Sequence, residues 1–300
     1  MYSDGLNRIL PEVDKKAIHY KYDPSDKTTI SSDYITSIYV DRENRLWIGT
    51  FDKGFCFAEN IYSSEDLEFT RFHFDDNLEV QDIREDSAGR IWIGSQNGLY
   101  MYDPHNKQLI HYGDLVNQSS DVQGINIQSI LYEEPNLFWI ASWNRGLCKL
   151  YINSDNLLTQ QNKRDSLVIY DNINDIYNSK IDNSFTTIYK DKINTLWLGS
   201  NVNGLIKVIE KDGRMEFIKY DKSKGAPDNS VYGIASDGSG NIWISTNHGL
   251  GKFNPETEQF NSYYESDGIL SNTFVWDASF SITMTILKFS RFQPRHEKKY

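Results

Sequence analysis

Five tryptophans, Trp47, Trp92, Trp139, Trp197 and Trp243, each sit in a near-copy of one phrase and recur at spacings of 45, 47, 58 and 46 residues. The copies read Leu46-Trp47-Ile48-Gly49-Thr50, Ile91-Trp92-Ile93-Gly94-Ser95, Phe138-Trp139-Ile140-Ala141-Ser142, Leu196-Trp197-Leu198-Gly199-Ser200 and Ile242-Trp243-Ile244-Ser245-Thr246. A period of about 40–50 residues built from short strands is the signature of propeller blades. The repeat therefore constrains the architecture before any other feature does: all-β, with four-stranded antiparallel blades.

Each copy opens with an apolar strand, and an acidic residue falls six positions before each Trp: Asp41, Asp86, Glu133, Asp191 and Asp237. A polar turn, such as Ser87-Ala88-Gly89-Arg90, separates acid from Trp, which makes the acid a hairpin residue. None of these turns has the acidic density of a calcium loop. The Trp phrase then forms a second strand, with Trp on one face and its apolar neighbours on the other, both buried between blades. Gly49, Gly94 and Gly199, matched by Ala141 and Ser245, leave room for the adjacent sheet. Next come Gly54, Gly98, Gly146, Gly204 and Gly249, each opening a third strand. An aromatic-rich fourth strand follows, as at Gln108 to Tyr112 or Met215 to Tyr220.

The ruler exposes irregularities. The 58-residue interval carries an Asn-rich insertion around Asn153 to Lys180, expected to be an enlarged loop with a displaced fourth strand. Residues 1–280 form one repeat array: a blade remnant at 1–26, whose Gly5-Leu6 matches a third-strand opening, then five complete blades, then the start of a further blade at 272–280. The expected fold is an incomplete arc of a propeller. Residues 281–300 lack repeat features and hold five Lys/Arg against Glu297, which suggests a truncated or out-of-frame tail.

Net charge is −11. A field of that sign disfavours a phosphate backbone, so no nucleic-acid partner is expected. No stretch approaches the ~18 apolar residues of a membrane span, and Met1-Tyr2-Ser3-Asp4-Gly5 reads as no signal peptide. Cys56 and Cys148 occupy equivalent positions in non-adjacent blades and are expected to be separate buried thiols. The six histidines lack metal-ligand spacing and no nucleophile motif is evident, so neither metal, cofactor nor catalytic residue is assigned.

The phrase Asp-x-x-Gly-x-Ile-Trp-Ile-Gly-Ser followed by x-x-Gly-Leu, as in Asp86 to Leu99, resembles the two-component regulator propeller repeat, and Gly5 to Phe280 fit that pattern throughout. Asp267 to Phe274 is also similar to that family's lead-in to its last blade. The resemblance implies part of a seven-bladed periplasmic sensor in a hybrid two-component histidine kinase, one that recognises oligosaccharide and self-associates in the parent protein. Kinase and membrane segments are expected elsewhere in such a parent, so this segment is expected to have no enzyme activity of its own.

In such blades the loops joining second to third strand share a face with the inter-blade loops, and loops on a rigid scaffold carry function. The expected ligand-binding residues are therefore Phe51, Asp52, Gln96, Asn97, Trp143, Asn144, Arg145, Asn201, Asn203, Asn247 and His248. Amides and rings of this kind suit sugar hydroxyls and pyranose faces, although Asn is also a turn residue in its own right. Trp143 leads because a loop tip does not require it. Trp276 joins the set because the matching slot elsewhere holds Ser37, Asp82, Ser129, Thr187 or Gly233. Two rival readings use the same face: a protein-interaction or dimerisation scaffold, and a propeller lyase or glycosidase.

Overall fold

In the computed structural model every Trp phrase is the second strand of a four-stranded antiparallel sheet. The structure describes residues 4–9, 17–62, 66–72, 74, 77–112, 124–152, 166–171, 173–212, 214–269 and 271–274. Strands β1 (Leu6–Ile9) and β2 (Ala17–Tyr20) form a two-stranded sheet. Blade one comprises β3 (Ile35–Val40), β4 (Leu46–Thr50), β5 (Phe55–Ala58) and β6 (Phe69–Arg71). Blade two comprises β7 (Val80–Glu85), β8 (Ile91–Ser95), β9 (Gly98–Asp103) and β10 (Gln108–His111). Blade three comprises β11 (Ile127–Glu133), β12 (Leu137–Ser142), β13 (Leu147–Tyr151) and β14 (Ser166–Tyr170). Blade four comprises β15 (Phe185–Lys190), β16 (Leu196–Ser200), β17 (Leu205–Lys211) and β18 (Arg214–Tyr220). Blade five comprises β19 (Val231–Ser236), β20 (Ile242–Thr246), β21 (Gly249–Asn254) and β22 (Gln259–Tyr263).

Within each blade the strands pair in chain order, and the first strand of each blade packs against the first and second strands of the blade before it. The fold is an incomplete propeller, with no sheet closing the arc among the described residues. The pair β1–β2 corresponds to a third and a fourth strand. Gly5 has φ 69°, like Gly54 at 67° and Gly146 at 68°, and Leu6 packs in one cluster with Leu46, Ile48 and Cys56. Of the further blade expected to start at 272–280, residues 275–280, Trp276 among them, lie outside the described residues, as does the basic tail at 281–300.

The small residue of the phrase is a matter of clearance. A Cβ on Gly49 would sit 2.6 Å from Val80 Cγ1, and one on Gly94 would sit 2.5 Å from Ile127 Cγ2. Val80 and Ile127 begin the innermost strand of the next blade, so a larger residue would wedge neighbouring sheets apart. The third-strand glycines meet a second demand. Gly146 and Gly204 take left-handed φ, and a Cβ there would lie 2.3 Å and 2.4 Å from the carbonyl oxygens of Tyr170 and Tyr220.

The acid six residues before Trp does more than turn the chain. Asp86 is fully buried, and its carboxylate accepts from the backbone N–H of Ala88 and Arg90, from Arg90 Nε at 2.6 Å and from Trp92 Nε1 at 2.8 Å. Trp47 donates likewise to Asp41 at 2.7 Å, Trp197 to Asp191 at 2.9 Å and Trp243 to Asp237 at 3.2 Å. One carboxylate thus joins the hairpin to the core indole. Blade three departs from this: Glu133 pairs instead with Lys190 of the next blade at 2.7 Å.

Of the insertion expected around Asn153 to Lys180 as an enlarged loop with a displaced fourth strand, residues 153–165 and 172 lie outside the described residues. Ser166–Tyr170 pairs along β13 as the fourth strand, and residues 173–181 return as a bridged turn closed between Asn174 and Lys180. Its Ile176 N–H donates to Phe217 O of blade four, and Ile173 and Ile181 are buried in the cluster between blades three and four. Two isoleucines in a polar stretch, flanking the Asp175-to-Asn178 turn, were the signal that this part packs. Both thiols are buried and unbridged, as expected.

Candidate functional site

The Ser or Thr that ends each Trp phrase builds the tip that follows. Thr50, Ser95, Ser142 and Thr246 donate their hydroxyls to the carbonyls of Gly54, Gly98, Gly146 and Gly249, closing each tip on itself. The same oxygens accept tip amides, among them Lys53, Asn97, Arg145 and His248. Backbone bonds then tie tips to inter-blade loops. Phe51, Gln96, Trp143, Asn201 and Asn247 donate to Tyr34, Glu79, Asn126, Ser184 and Ser230, while Gly54, Gly146 and Gly204 donate to Leu78, Asn183 and Asn229. Tips and inter-blade loops accordingly form one continuous face, as strand order dictates.

On that face the candidate residues divide by what their polar atoms already do. Gln96 accepts from Glu79 N at 2.5 Å and donates to Asn77 O at 2.8 Å; Asn144 accepts from Asn126 N at 2.9 Å and donates to Gly124 O at 2.7 Å. These two amides clamp the loops entering their blades. Asn203 is buried and donates to Ser200 Oγ at 2.9 Å and Asp182 O at 3.3 Å, so its amide serves the tip from inside. Phe51, Asn97, Asn144, Asn247 and His248 are exposed, and the His248 ring lies 5.3 Å from that of Tyr264. Asp52, Trp143, Arg145 and Asn201 are half-buried.

Two of these carry polar atoms that are buried and unpartnered among the described residues, Asp52 Oδ1 and Arg145 Nε. Buried donors and acceptors are nearly always satisfied, so a charged acceptor in blade one and a charged donor in blade three are unspent hydrogen-bonding capacity on the loop face.

The inter-blade Asn and Asp residues show another use that the sequence alone did not resolve. Asp33 accepts from Tyr22 N at 2.7 Å, Asn229 from Lys222 N at 2.9 Å and Asn272 from Glu265 N at 2.7 Å. In each case the donor lies two residues after the fourth-strand tyrosine, Tyr20, Tyr220 or Tyr263, and the side chain fastens the exit of one blade to the entry of the next. At these three positions the recurrence reflects that clamp, whereas Asn183 Oδ1 is buried without a partner among the described residues. Among the described residues no cluster of three His, Cys, Asp or Glu could hold a metal ion, and no helix is long and apolar enough to cross a membrane.

Comparison with known proteins agrees with this architecture. The sequence model of the two-component regulator propeller family matches residues 29–52, 74–97 and 225–248. A histidine kinase P4 from Formosa agariphila is 27% identical over 306 residues, an alignment covering 83% of this chain and 21% of that protein. The extracellular domain described for a hybrid two component system of B. thetaiotaomicron superposes with a TM-score of 0.63 at 21% identity, over 92% of this chain and 37% of that one. Virginiamycin B lyase from Staphylococcus aureus superposes with a TM-score of 0.57 at 13% identity, over 86% and 73% of the two chains. At such identities the two structural likenesses concern the propeller fold alone. The chain spans about a fifth of the histidine kinase it matches.

Proposed function

We propose that this chain, three segments of which match the two-component regulator propeller model, is the ligand-sensing segment of a hybrid two-component signalling protein, standing outside the cytoplasm and recognising oligosaccharide through its tip-loop face. The observation that carries the reading is sequence similarity to a histidine kinase across 83% of the chain, whose described strands build blades. A propeller has no phosphoryl-transfer apparatus, so its part in such a protein is binding, and catalysis belongs to the parent's other domains. That the fold also serves a lyase argues nothing for catalysis here, because function resides in sites rather than folds.

The loop face has the right chemistry for a sugar. Trp143 presents a half-buried indole beside Arg145, whose Nε is desolvated and unspent, and Phe51 offers an exposed ring beside the unspent Asp52 carboxylate. Rings stack on the apolar faces of pyranoses, while the charged groups pair with hydroxyls or acidic substituents. Titration calorimetry of the 300-residue chain against defined neutral and acidic disaccharides is the test. One of them should bind, and Trp143→Ala or Arg145→Ala should weaken it at least about tenfold, or roughly 1.4 kcal/mol. Binding indifferent to both substitutions would place the ligand elsewhere, and turnover of the sugar would reject a sensing role.

A further inference from the structure

The Trp ring of each blade faces the next blade across a crevice, and three of the four crevices among the described residues are filled in the same way. Trp47 meets Tyr102 of blade two at 5.5 Å between ring centroids, Trp92 meets Phe138 of blade three at 4.8 Å, and Trp197 meets Phe253 of blade five at 5.7 Å. The strand register shows where those rings come from. They stand on the pair of residues directly opposite one another at Ile91–Tyr102, Phe138–Leu150 and Ile242–Phe253, one member of which is aromatic each time. Blade four holds Leu196–Val208 at the same register. Trp139 therefore meets no ring among the described residues, and a crevice of about 350 Å³ opens there, lined by Trp139, Leu196 and Val208. That volume falls within the range of small-molecule sites, about 300–1,000 Å³.

The same crevice departs from the repeat in its polar groups. Glu133, the acid equivalent to Asp41 and Asp86, turns away to Lys190, and the Trp139 indole N–H has no acceptor among the described residues. Lys149 pairs with Glu210 at 3.2 Å and lies 4.7 Å from the centre of the Trp139 ring. Two Lys–Glu pairs thus line a slot whose apolar floor lacks one aromatic ring. The four charges cancel; Lys149 is buried while its partner Glu210 is half exposed, and Lys190 and Glu133 are each about a quarter exposed, so a ligand that supplies one charge of each sign can replace the partners without leaving Lys149 unpaired.

We propose that the crevice between blades three and four is a binding site for a free aromatic amino acid. Its ring takes the place that Tyr102, Phe138 and Phe253 fill in the other crevices; its carboxylate joins Lys149 or Lys190 and its ammonium joins Glu210 or Glu133. The site lies among the hairpin turns at the ends of first and third strands, away from the tip loops, and does not depend on the sugar reading. A neutral saccharide has no charge to exchange with either pair, and a simple anion would meet as many carboxylates as ammonium groups.

Calorimetric titration of the full chain with L-phenylalanine and L-tryptophan tests this, with phenethylamine, phenylacetate and N-acetylphenylalaninamide as the arms lacking one or both charges. An amino acid should bind, the three analogues should be at least about tenfold weaker, and Val208→Phe, which supplies the missing ring from the protein itself, should abolish binding. Val208→Phe copies the residue at Phe253, and its melting midpoint, expected to be no lower than that of the parent chain, shows that loss of binding is not loss of fold. Absence of binding by either amino acid, analogues that bind equally well, or affinity untouched by Val208→Phe would each overturn the proposal.

Discussion

Removing the Asp86 carboxylate tests whether the acid of the repeat is a structural hub or only a turn former. In Asp86→Ala the Trp92 Nε1–H, on a residue with no solvent exposure, loses its acceptor, and an unsatisfied buried donor costs about 1–3 kcal/mol. Arg90 Nε loses its partner while the side chain is only 14% exposed, and the N–H groups of Ala88 and Arg90 lose the oxygen that orders the hairpin. Taken together, the loss falls at about 3–5 kcal/mol, the range for removing one member of a buried pair. Glu133→Ala is the internal control: it holds the equivalent place, but its bond runs to Lys190 with both side chains about a quarter exposed, and such a pair contributes about 0–1 kcal/mol. Urea unfolding followed by tryptophan fluorescence measures both. A cycle adding Trp92→Phe should return a coupling of about 1–2 kcal/mol between Asp86 and the indole N–H, because the double variant no longer carries a buried indole donor to leave unsatisfied. Equal shifts for Asp86→Ala and Glu133→Ala, or a coupling near zero, would refute the hub.

Other consequences are open to simpler measurement. Gly94→Ala should cost about 1–3 kcal/mol by overpacking against Ile127, visible as a lower urea midpoint; a midpoint unchanged from the parent would show that the blades are not in close contact there. Burial pushes the Cys56 thiol up to about 11 and the Cys148 thiol up to about 12, so neither should react with an aromatic disulfide reagent at pH 8 until denaturant is added; rapid native labelling would contradict the packing. At Asp237 desolvation opposes ionisation, but hydrogen bonds from Asn241, Trp243 and the Ser239 amide outweigh it and hold the carboxyl well below its ordinary value. A depressed carboxylate stabilises the fold above the unfolded pKa of about 3.9, and that contribution is lost as pH falls through the folded value. Asp237→Asn should therefore narrow the gap in melting temperature between pH 6 and pH 3, and an unchanged gap would remove Asp237 as a source of acid lability.

How far the sequence could be read depended on whether a feature repeats. The Trp phrase with its small residue, the third-strand glycine and the six-residue interval to the acid recur five times, and each recurrence reports a demand of the blade: burial between sheets, clearance for a neighbour such as Val80 or Ile127, and a left-handed turn into the third strand. The fixed interval reported the hairpin, and the indole-to-carboxylate bond was not separable from it, since Glu133 keeps the same interval while bonding Lys190 instead of Trp139. The loop face was harder to read because single residues there answer to two causes. Gln96 and Asn144 have the chemistry of sugar contacts, yet their amides clamp backbone, and only coordinates distinguish an amide in use from one that is spare. Asp52 and Arg145 could not be ranked above their neighbours from type or position, because desolvation depends on the folded surroundings of each atom.

Departures from a repeat carry information of a different kind, and Val208 shows how it becomes visible. As a residue type, valine at a strand interior is unremarkable, since it is a good strand former on an apolar face. Its meaning appears once the register sets it opposite Leu196, in the slot where the neighbouring blades put Tyr102, the Phe138–Leu150 pair and Phe253. One blade along, the replacement of aspartate by Glu133 removes the acceptor of Trp139, so the two exceptions meet across a single crevice from separate blades. A change that only relaxed the packing would cost stability through a cavity and gain nothing. Two changes that jointly free one face of a crevice and set paired charges along it are what a binding function requires, and they separate the sites that a propeller keeps uniform from those it has altered.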